Sequence, residues 1–386
     1  MDALTRLLSD LVAIPSVNPM GRPLTGPVYL ESGMSQYLEA WFTGLGIACE
    51  RQTVSPGRDN LIARFDSPGS KATLLFDAHQ DTVPVDGMTI EPFEPVISGN
   101  RMYGRGSCDI KGGMASMLTA FARLVRERPP GAASVVMACT VDEEYTHSGS
   151  SLLAATSLGA DLAVVAEPTK LQIVNCHKGA VRWKVRTVGV ACHSSTPHLG
   201  VNAIYKMARV IDALAAHAAE LSKDAPHAVL GPPSLSVGRI EGGQSVNVVP
   251  DWCEVEIDRR VIPGETPSDC MTRVRAFLGN ALGGLEGIEF SPPWVKMPAL
   301  SAESSGSERW VDPVGRAVER ATGRAPTVMG VPYGTDAGPL SATGMPCLVF
   351  GPGDIAQAHT KDEWVDLDEV RAAAAAYFEI ARSLGG

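Results

Sequence analysis

A chain of 386 residues with 45% hydrophobic and 20% charged residues has the balance of a globular protein large enough for two domains. A formal net charge of -10, with no basic stripe to offset it, excludes nucleic acid and anionic membrane as partners. The 8 cysteines stand singly without a C-x-x-C pair, as reduced thiols in a cytoplasmic protein do, and no apolar run reaches the length of a membrane span.

The first element is an amphipathic surface helix rather than a leader, because Asp2, Arg6 and Asp10 interrupt the apolar run and Leu4, Leu7, Leu8 and Leu11 follow helical spacing. Two short runs, "NLIARF" and "ATLLFDAH", read as strands. A helix follows in "KGGMASMLTAFARLVRERPP", with Met114, Met117, Leu118, Phe121, Leu124 and Val125 on one face and Pro129-Pro130 as its stop. "ASVVMACTV" and "DLAVVAEP" are further strands, nearly continuous in apolar residues. Buried strands separated by helices predict an α/β domain with a mostly parallel sheet.

Beyond Gly179 the pattern changes to alternation, in "VRWKVRTVGVACH". A helix in "NAIYKMARVIDALAAHAAEL", antiparallel strands in "SLSVGRIEGG" and "WCEVEIDRRVI", a helix capped by Thr266 with Pro267 in its first turn, and a last strand in "IEFSPPWV" complete a β-α-β-β-α-β order. The expected organisation is therefore a catalytic α/β domain over residues 1–178 and 294–386. A ferredoxin-like α+β domain over 179–293 is inserted into it, with hinges near Gly179 and between Pro292 and Pro298. "PCLVFGPG" is the strand, and "LDEVRAAAAAYFEIARSL" the terminal helix, of the resumed first domain.

The strands of the first domain end in potential metal ligands. "LLFDAHQDTV" carries His79 and Asp81, "GRGSCDIKGG" carries Asp109, "ACTVDEE" carries Glu143 and Glu144, and "VVAEP" carries Glu167; His359 follows the strand of "PCLVFGPG". The carboxyl ends of strands in an open α/β sheet are where ligands bind. This mixed N/O donor set suits zinc or a similar divalent ion, and a pair of ions needs one bridging carboxylate, for which Asp109 is the candidate. On this reading Glu144 binds metal, Glu143 stays free to move a proton, and the Asp81 carboxylate accepts from His79 and fixes its tautomer. "GRGSCDIKGG" lacks the G-x-x-x-x-G-K-[ST] of a phosphate loop.

The pieces "HQDTVP", "YGRGSCDIKGG", "DEE", "AEP", "HSSTPHLGVNAI", "GTDA" and "AHTKDEWV" run in order along nearly the whole chain. In this it resembles the metallopeptidases that include aminoacylase, acetylornithine deacetylase and succinyl-diaminopimelate desuccinylase. The resemblance implies a zinc-peptidase-like domain holding two divalent ions, zinc first with cobalt or manganese as alternatives, and an inserted domain that dimerises and closes as a lid. It implies His79 and Glu167 on one ion, Glu144 and His359 on the other, Asp109 between them, and Glu143 as general base. It also implies a cis peptide bond after Asp109.

His193 corresponds to a histidine that steadies the oxyanion across a homodimer. The small-molecule substrate implied carries a free carboxylate, held by Arg260 in "EIDRRVIPGE", although Arg259 beside it is an alternative; Asn247 and Thr335 match lesser contacts. His147, His177, His217 and His227 read as structural or surface residues, and only His147, just past Glu144, is near enough to line the pocket. The expected activity is hydrolysis of an N-acyl amino acid by a metal-activated water. A dipeptidase or carboxypeptidase is the alternative within the family, and a non-catalytic binding protein on the same fold is the alternative outside it.

Overall fold

In the computed structural model, which describes residues 1–386, Ser134–Thr140 forms a strand buried at every position. It lies parallel to Thr73–His79, so that Thr140 and His79 end side by side. Leu162–Val165 and Cys347–Val349 continue the parallel run beyond Thr73–His79. Antiparallel strands flank this centre, Arg58–Phe65 and Cys49–Ser55 on one side and Ile173–His177 on the other, and Leu300–Ser301 and Val328–Val331 neighbour Ile173–His177. The sheet is therefore mixed with a parallel core, and its apolar strands are those a doubly covered sheet requires.

The chain divides into two compact units, one of Met1–Cys176, Leu300–Gly330 and Thr335–Gly386, the other of His177–Ala299 with Val331–Gly334. In the first, Gly112–Glu127 packs beside Leu367–Ser383 and Ala3–Ala13, and Met114, Met117, Leu118, Phe121 and Leu124 enter the main core. The first helix is capped as its sequence predicts. The Asp2 carboxylate accepts from Thr5 N at 2.7 Å, and Leu4, Leu7, Leu8 and Leu11 are buried.

In the second unit, Gly179–Val188 pairs antiparallel with Trp252–Val261 along its whole length, and Ser234–Gly242 pairs with the far side of Trp252–Val261. Ala203–Leu221 and Pro267–Leu282 cover one face around Trp183, Val185, Val255 and Ile257, which makes this an α+β, ferredoxin-like layer. One element departs from expectation. "IEFSPPWV" is two strands, Ile288–Phe290 and Val295–Met297, both paired with Gly179–Val188. Pro292 and Pro293 between them offer no N–H to a ladder and divide it.

A buried ion network ties the first unit together near the strand ends. Arg58, at the start of Arg58–Phe65, reaches Glu31 at 3.0 Å and Asp142 at 2.7 Å. Burial, with the Asp81 charge adding to it, pushes the Glu31 carboxyl up to about 8. The folded state thus holds the Glu31 proton more tightly than the unfolded chain. That stability is complete at low pH and is lost as pH rises from about 4.5 through about 8. Glu31→Gln should flatten the fall in unfolding free energy across this window by a few kcal/mol, read from denaturant titrations at stepped pH. Equal slopes in the two proteins would exclude the assignment.

Candidate metal centre

The parallel strands deliver their carboxyl ends to one place, and the chain just beyond each end carries an ionisable side chain. His79 closes Thr73–His79 and Glu167 lies two residues past Leu162–Val165. Asp109 comes from the turn before Gly112–Glu127, where the Asp109–Ile110 peptide bond is cis, and His359 comes from the loop after Cys347–Val349. Donor atoms of His79, Asp109 and Glu167 lie within 4.8 Å of one another, and so do those of Asp109, Glu144 and His359. Asp109 is common to both groups. Its Oδ1 stands 3.2 Å from His79 Nε2 and its Oδ2 3.3 Å from His359 Nε2.

These contacts fit divalent ions. His79 Nδ1–H donates to the main-chain oxygen of Asp81 at 2.9 Å, which leaves Nε2 as the ring atom that faces the Asp109 carboxylate. A nitrogen and a carboxylate oxygen that close require positive charge between them, a proton or a metal ion. Ligand bonds of about 2.1 Å at a tetrahedral angle separate neighbouring donors by about 3.4 Å. His359 Nε2 also stands 3.2 Å from Glu144 Oε2, while the buried Oε1 of Glu144 has no hydrogen-bond partner. Donation to the Asp109 and Glu144 carboxylates pushes His359 up to about 11. Burial, which alone would raise Asp109, is outweighed by hydrogen bonds from His359 and His79 that hold it below the usual carboxylate range. Glu143 and Glu167 are pushed well up, first by burial and then by neighbouring carboxylates.

Asp81 acts differently from the expectation. Its carboxylate is 3.7 Å from His79 Nδ1, and the tautomer is set by the Asp81 main-chain oxygen instead. The carboxylate accepts from Asn18 Nδ2 at 2.8 Å, Glu143 N at 3.1 Å and Glu144 N at 3.2 Å, and so holds the turn that carries both glutamates. Glu143 is buried with Oε2 4.0 Å from His79 Nε2 and Oε1 3.6 Å from His147 Nδ1. His147, expected at most to line the pocket, also meets Asp336 Oδ1 at 3.2 Å. Thr140 Oγ1 lies 2.9 Å from the other Asp336 oxygen and 3.0 Å from Asp77. One hydroxyl hydrogen cannot serve two carboxylates. Burial and the Asp336 charge push Asp77 well up, so Asp77 keeps its proton and donates to Thr140, which donates to Asp336.

Glu363 is the residue that sequence reasoning missed most completely. Fully buried, its carboxylate accepts from Arg105 at 2.6 Å and from the main-chain N–H of Gly106, Cys108 and Asp109 at 3.0, 2.9 and 3.0 Å. It fixes the loop that presents Asp109. Only its place four residues past His359 pointed to it, and acids in such loops are ordinarily solvated.

The remaining expected residues divide between the two units. Thr335 is buried, and its Oγ1 accepts from Ala337 N at 3.1 Å at the start of a short helix. The other three belong to the second unit. His193 is exposed with Nδ1 2.7 Å from Ser195 Oγ, and neighbouring Ser194 N donates to the main-chain oxygen of exposed Asn247 at 3.1 Å. Arg259 is 1% exposed and bound to Glu265 at 2.7 Å, whereas Arg260 is half-buried, with only its Nε on Asp258 at 2.7 Å.

Residues 75–383 match the profile of peptidase family M20/M25/M40. The chain is 34% identical over 373 residues to acetylornithine deacetylase of Erwinia tasmaniensis, covering 92% of this chain and 91% of that protein. It is 33% identical over 378 residues to the enzyme of the same name from Pectobacterium carotovorum, covering 93% and 92%. Among solved structures, a tripeptidase from Staphylococcus aureus superposes with a TM-score of 0.78 at 21% identity, over 99% of this chain and 98% of that one. A metallo-carboxypeptidase from Sulfolobus solfataricus does so with 0.77 at 20% identity, over the full length of both. At these identities the structures share the fold.

Removing the Glu363 charge leaves the Arg105 guanidinium buried without its counter-charge. Glu363→Gln is expected to cost about 3–5 kcal/mol of stability by chemical denaturation, the range for one member of a buried pair. An unchanged midpoint would show that Glu363 does not hold this loop.

Proposed function

The chain belongs to peptidase family M20/M25/M40 and is a metal-dependent hydrolase; from that premise we propose that it cleaves the amide bond of an N-acyl amino acid, as a deacylase. The observation that carries this is the pair of donor groups sharing Asp109, with Glu143 beside them and outside both. The relatives named for acetylornithine deacetylation, alike over more than nine-tenths of the chain, favour the deacylase over a dipeptidase or carboxypeptidase.

His79, Asp109 and Glu167 would hold one divalent ion and Asp109, Glu144 and His359 the other, zinc before cobalt or manganese for this N/O set. Such ions lower the pKa of water and polarise a carbonyl. Glu143, its carboxyl pushed well above the usual carboxylate range by burial, takes a proton from the attacking water and returns it to the leaving amine. Asp81 keeps the turn of Glu143 and Glu144 in place through their N–H groups.

In the inserted segment, expected over residues 179–293, His193 is proposed to steady the oxyanion. Arg260 rather than the Glu265-bound Arg259 is proposed to grip the substrate carboxylate, with Asn247 assisting. Thr335 acts through the turn that carries Asp336. Homodimerisation through this segment is supported by exposed Ile204, Tyr205, Ile240, Val246 and Val248, and by the unpaired edge of Ser234–Gly242. A cytoplasmic location is proposed on the eight free cysteines, and no helix is long and apolar enough to cross a membrane.

Elemental analysis alongside a panel of N-acetyl and N-succinyl amino acids and dipeptides, with and without chelator, tests the reading. About two metal equivalents and chelator-sensitive cleavage of the N-acyl compounds are expected; cleavage of dipeptides alone would assign an exopeptidase. Glu143→Ala should keep its metal and lose about 100-fold or more in kcat. Arg260→Ala should raise KM by about 10- to 100-fold, the loss of a charge-assisted pair. A monomeric active enzyme in sedimentation would remove both the dimer and the role of His193 across it.

A further inference from the structure

We propose that His147 is a positioning residue for Glu143: its Nδ1–H, anchored on Asp336, decides which Glu143 oxygen faces the reacting centre. The inference rests on Glu143 being the proton carrier. It starts from the local backbone. Asp142 and His147 both adopt the left-handed region, at φ 64° and 56°, and His147 N donates to Asp142 O at 2.7 Å. Gly149 N closes the turn on Val141 O at 3.1 Å, and a Cβ at Gly149 would stand 2.3 Å from that same oxygen. The chain therefore doubles back, and the imidazole returns to the glutamate four residues before it.

The ring is oriented from behind. An ionised Asp336 only accepts, so the Nδ1 that faces its Oδ1 at 3.2 Å carries the hydrogen. The second Asp336 oxygen takes Thr140 Oγ1 at 2.9 Å, which leaves Asp336 little freedom to turn. That N–H then stands 3.6 Å from Glu143 Oε1, while Glu143 Oε2 is directed to the His79 side. Glu143 has Glu167, Asp336 and Glu144 as neighbours, all of which repel it. The Nδ1–H of His147 stands between two carboxylates, 3.2 Å from Asp336 Oδ1 and 3.6 Å from Glu143 Oε1. The family does not need to supply this residue by motif, since nothing in "DEEYTHSG" beyond the two glutamates belongs to the ligand pattern.

The three donor atoms of Glu143, His147 and Asp336 also lie within 4.8 Å of one another, so a cation in place of the proton is the competing account. The two accounts separate by experiment. Asn at 147 sets an amide nitrogen where Nδ1 stands, and Gln sets one where Nε2 stands. We expect His147→Gln and His147→Ala to lose about 10- to 100-fold in kcat with KM and metal content unchanged, as for a misplaced catalytic group, and His147→Asn to recover most of it. Nitrogen-15 NMR of histidine-labelled enzyme should show His147 protonated at Nδ1, a readout that needs no substrate. Wild-type kcat in His147→Ala, equal loss in the Asn and Gln variants, or a bare Nδ1 would each overturn the proposal. So would a third metal equivalent that disappears in His147→Asn. If wild-type protein cleaves none of the panel, the deacylase reading fails while the NMR result still decides the placement of His147.

Discussion

Everything about this site follows from carboxylates gathered in the interior at the ends of apolar strands. An ionised carboxylate removed from water is unfavourable by several kcal/mol unless charge or hydrogen bonds replace its hydration. The protein uses a different remedy for each. Asp142 takes the Arg58 guanidinium, which also reaches Glu31, a carboxyl that burial keeps protonated up to about pH 8; Glu363 has Arg105 together with three main-chain N–H groups. Asp81 is compensated by an amide side chain and two N–H groups, and Asp77 by keeping its proton. Asp109, Glu144 and Glu167 have only histidines nearby, and those histidines present nitrogen to oxygen at distances that ask for cations. The metal centre is where protein charges run out.

The topology explains how distant segments meet there. Cys347–Val349 inserts beside Leu162–Val165 in the parallel core, although nearly two hundred positions of chain, including the whole second unit, separate them. The loop after that strand brings His359 and Glu363 onto the Asp109 turn from the far end of the sequence. Because Glu363 seizes consecutive N–H groups, the loop of Asp109 is fixed by a residue that is not itself a ligand. A ligand set assembled this way depends on the late strand docking in register.

Much of this was legible in the sequence, for identifiable reasons. Apolar runs without alternation announced the parallel strands, and the switch to alternation near Gly179 announced the antiparallel layer. The ligand types were visible because they recur just past apolar runs. What stayed hidden depends on three-dimensional neighbours. Ser32–Gly44 and Cys49–Ser55 carry mixed surfaces with weak periodicity. Glu363 and Asp336 look like any loop acids until their burial is known. The division of "IEFSPPWV" was readable from its two prolines, but its length as a single run concealed it. The tautomer of His79 turned on a main-chain oxygen, which no side-chain pattern can reveal.

The three consecutive acids after Val141 show why adjacency in sequence does not mean a shared fate. A continued strand would send Asp142 and Glu144 to one face and Glu143 to the other. The left-handed backbone at Asp142 breaks that alternation and gives each acid its own direction. Asp142 turns to Arg58, Asn18 and Ser148, and serves the scaffold. Glu144 turns to His359 with one oxygen unpartnered, the arrangement of a ligand. Glu143 lies between His79 and His147 without a close bond to either, which leaves its carboxyl able to gain and release a proton. Backbone conformation, more than residue type, separates scaffold, ligand and base in this run.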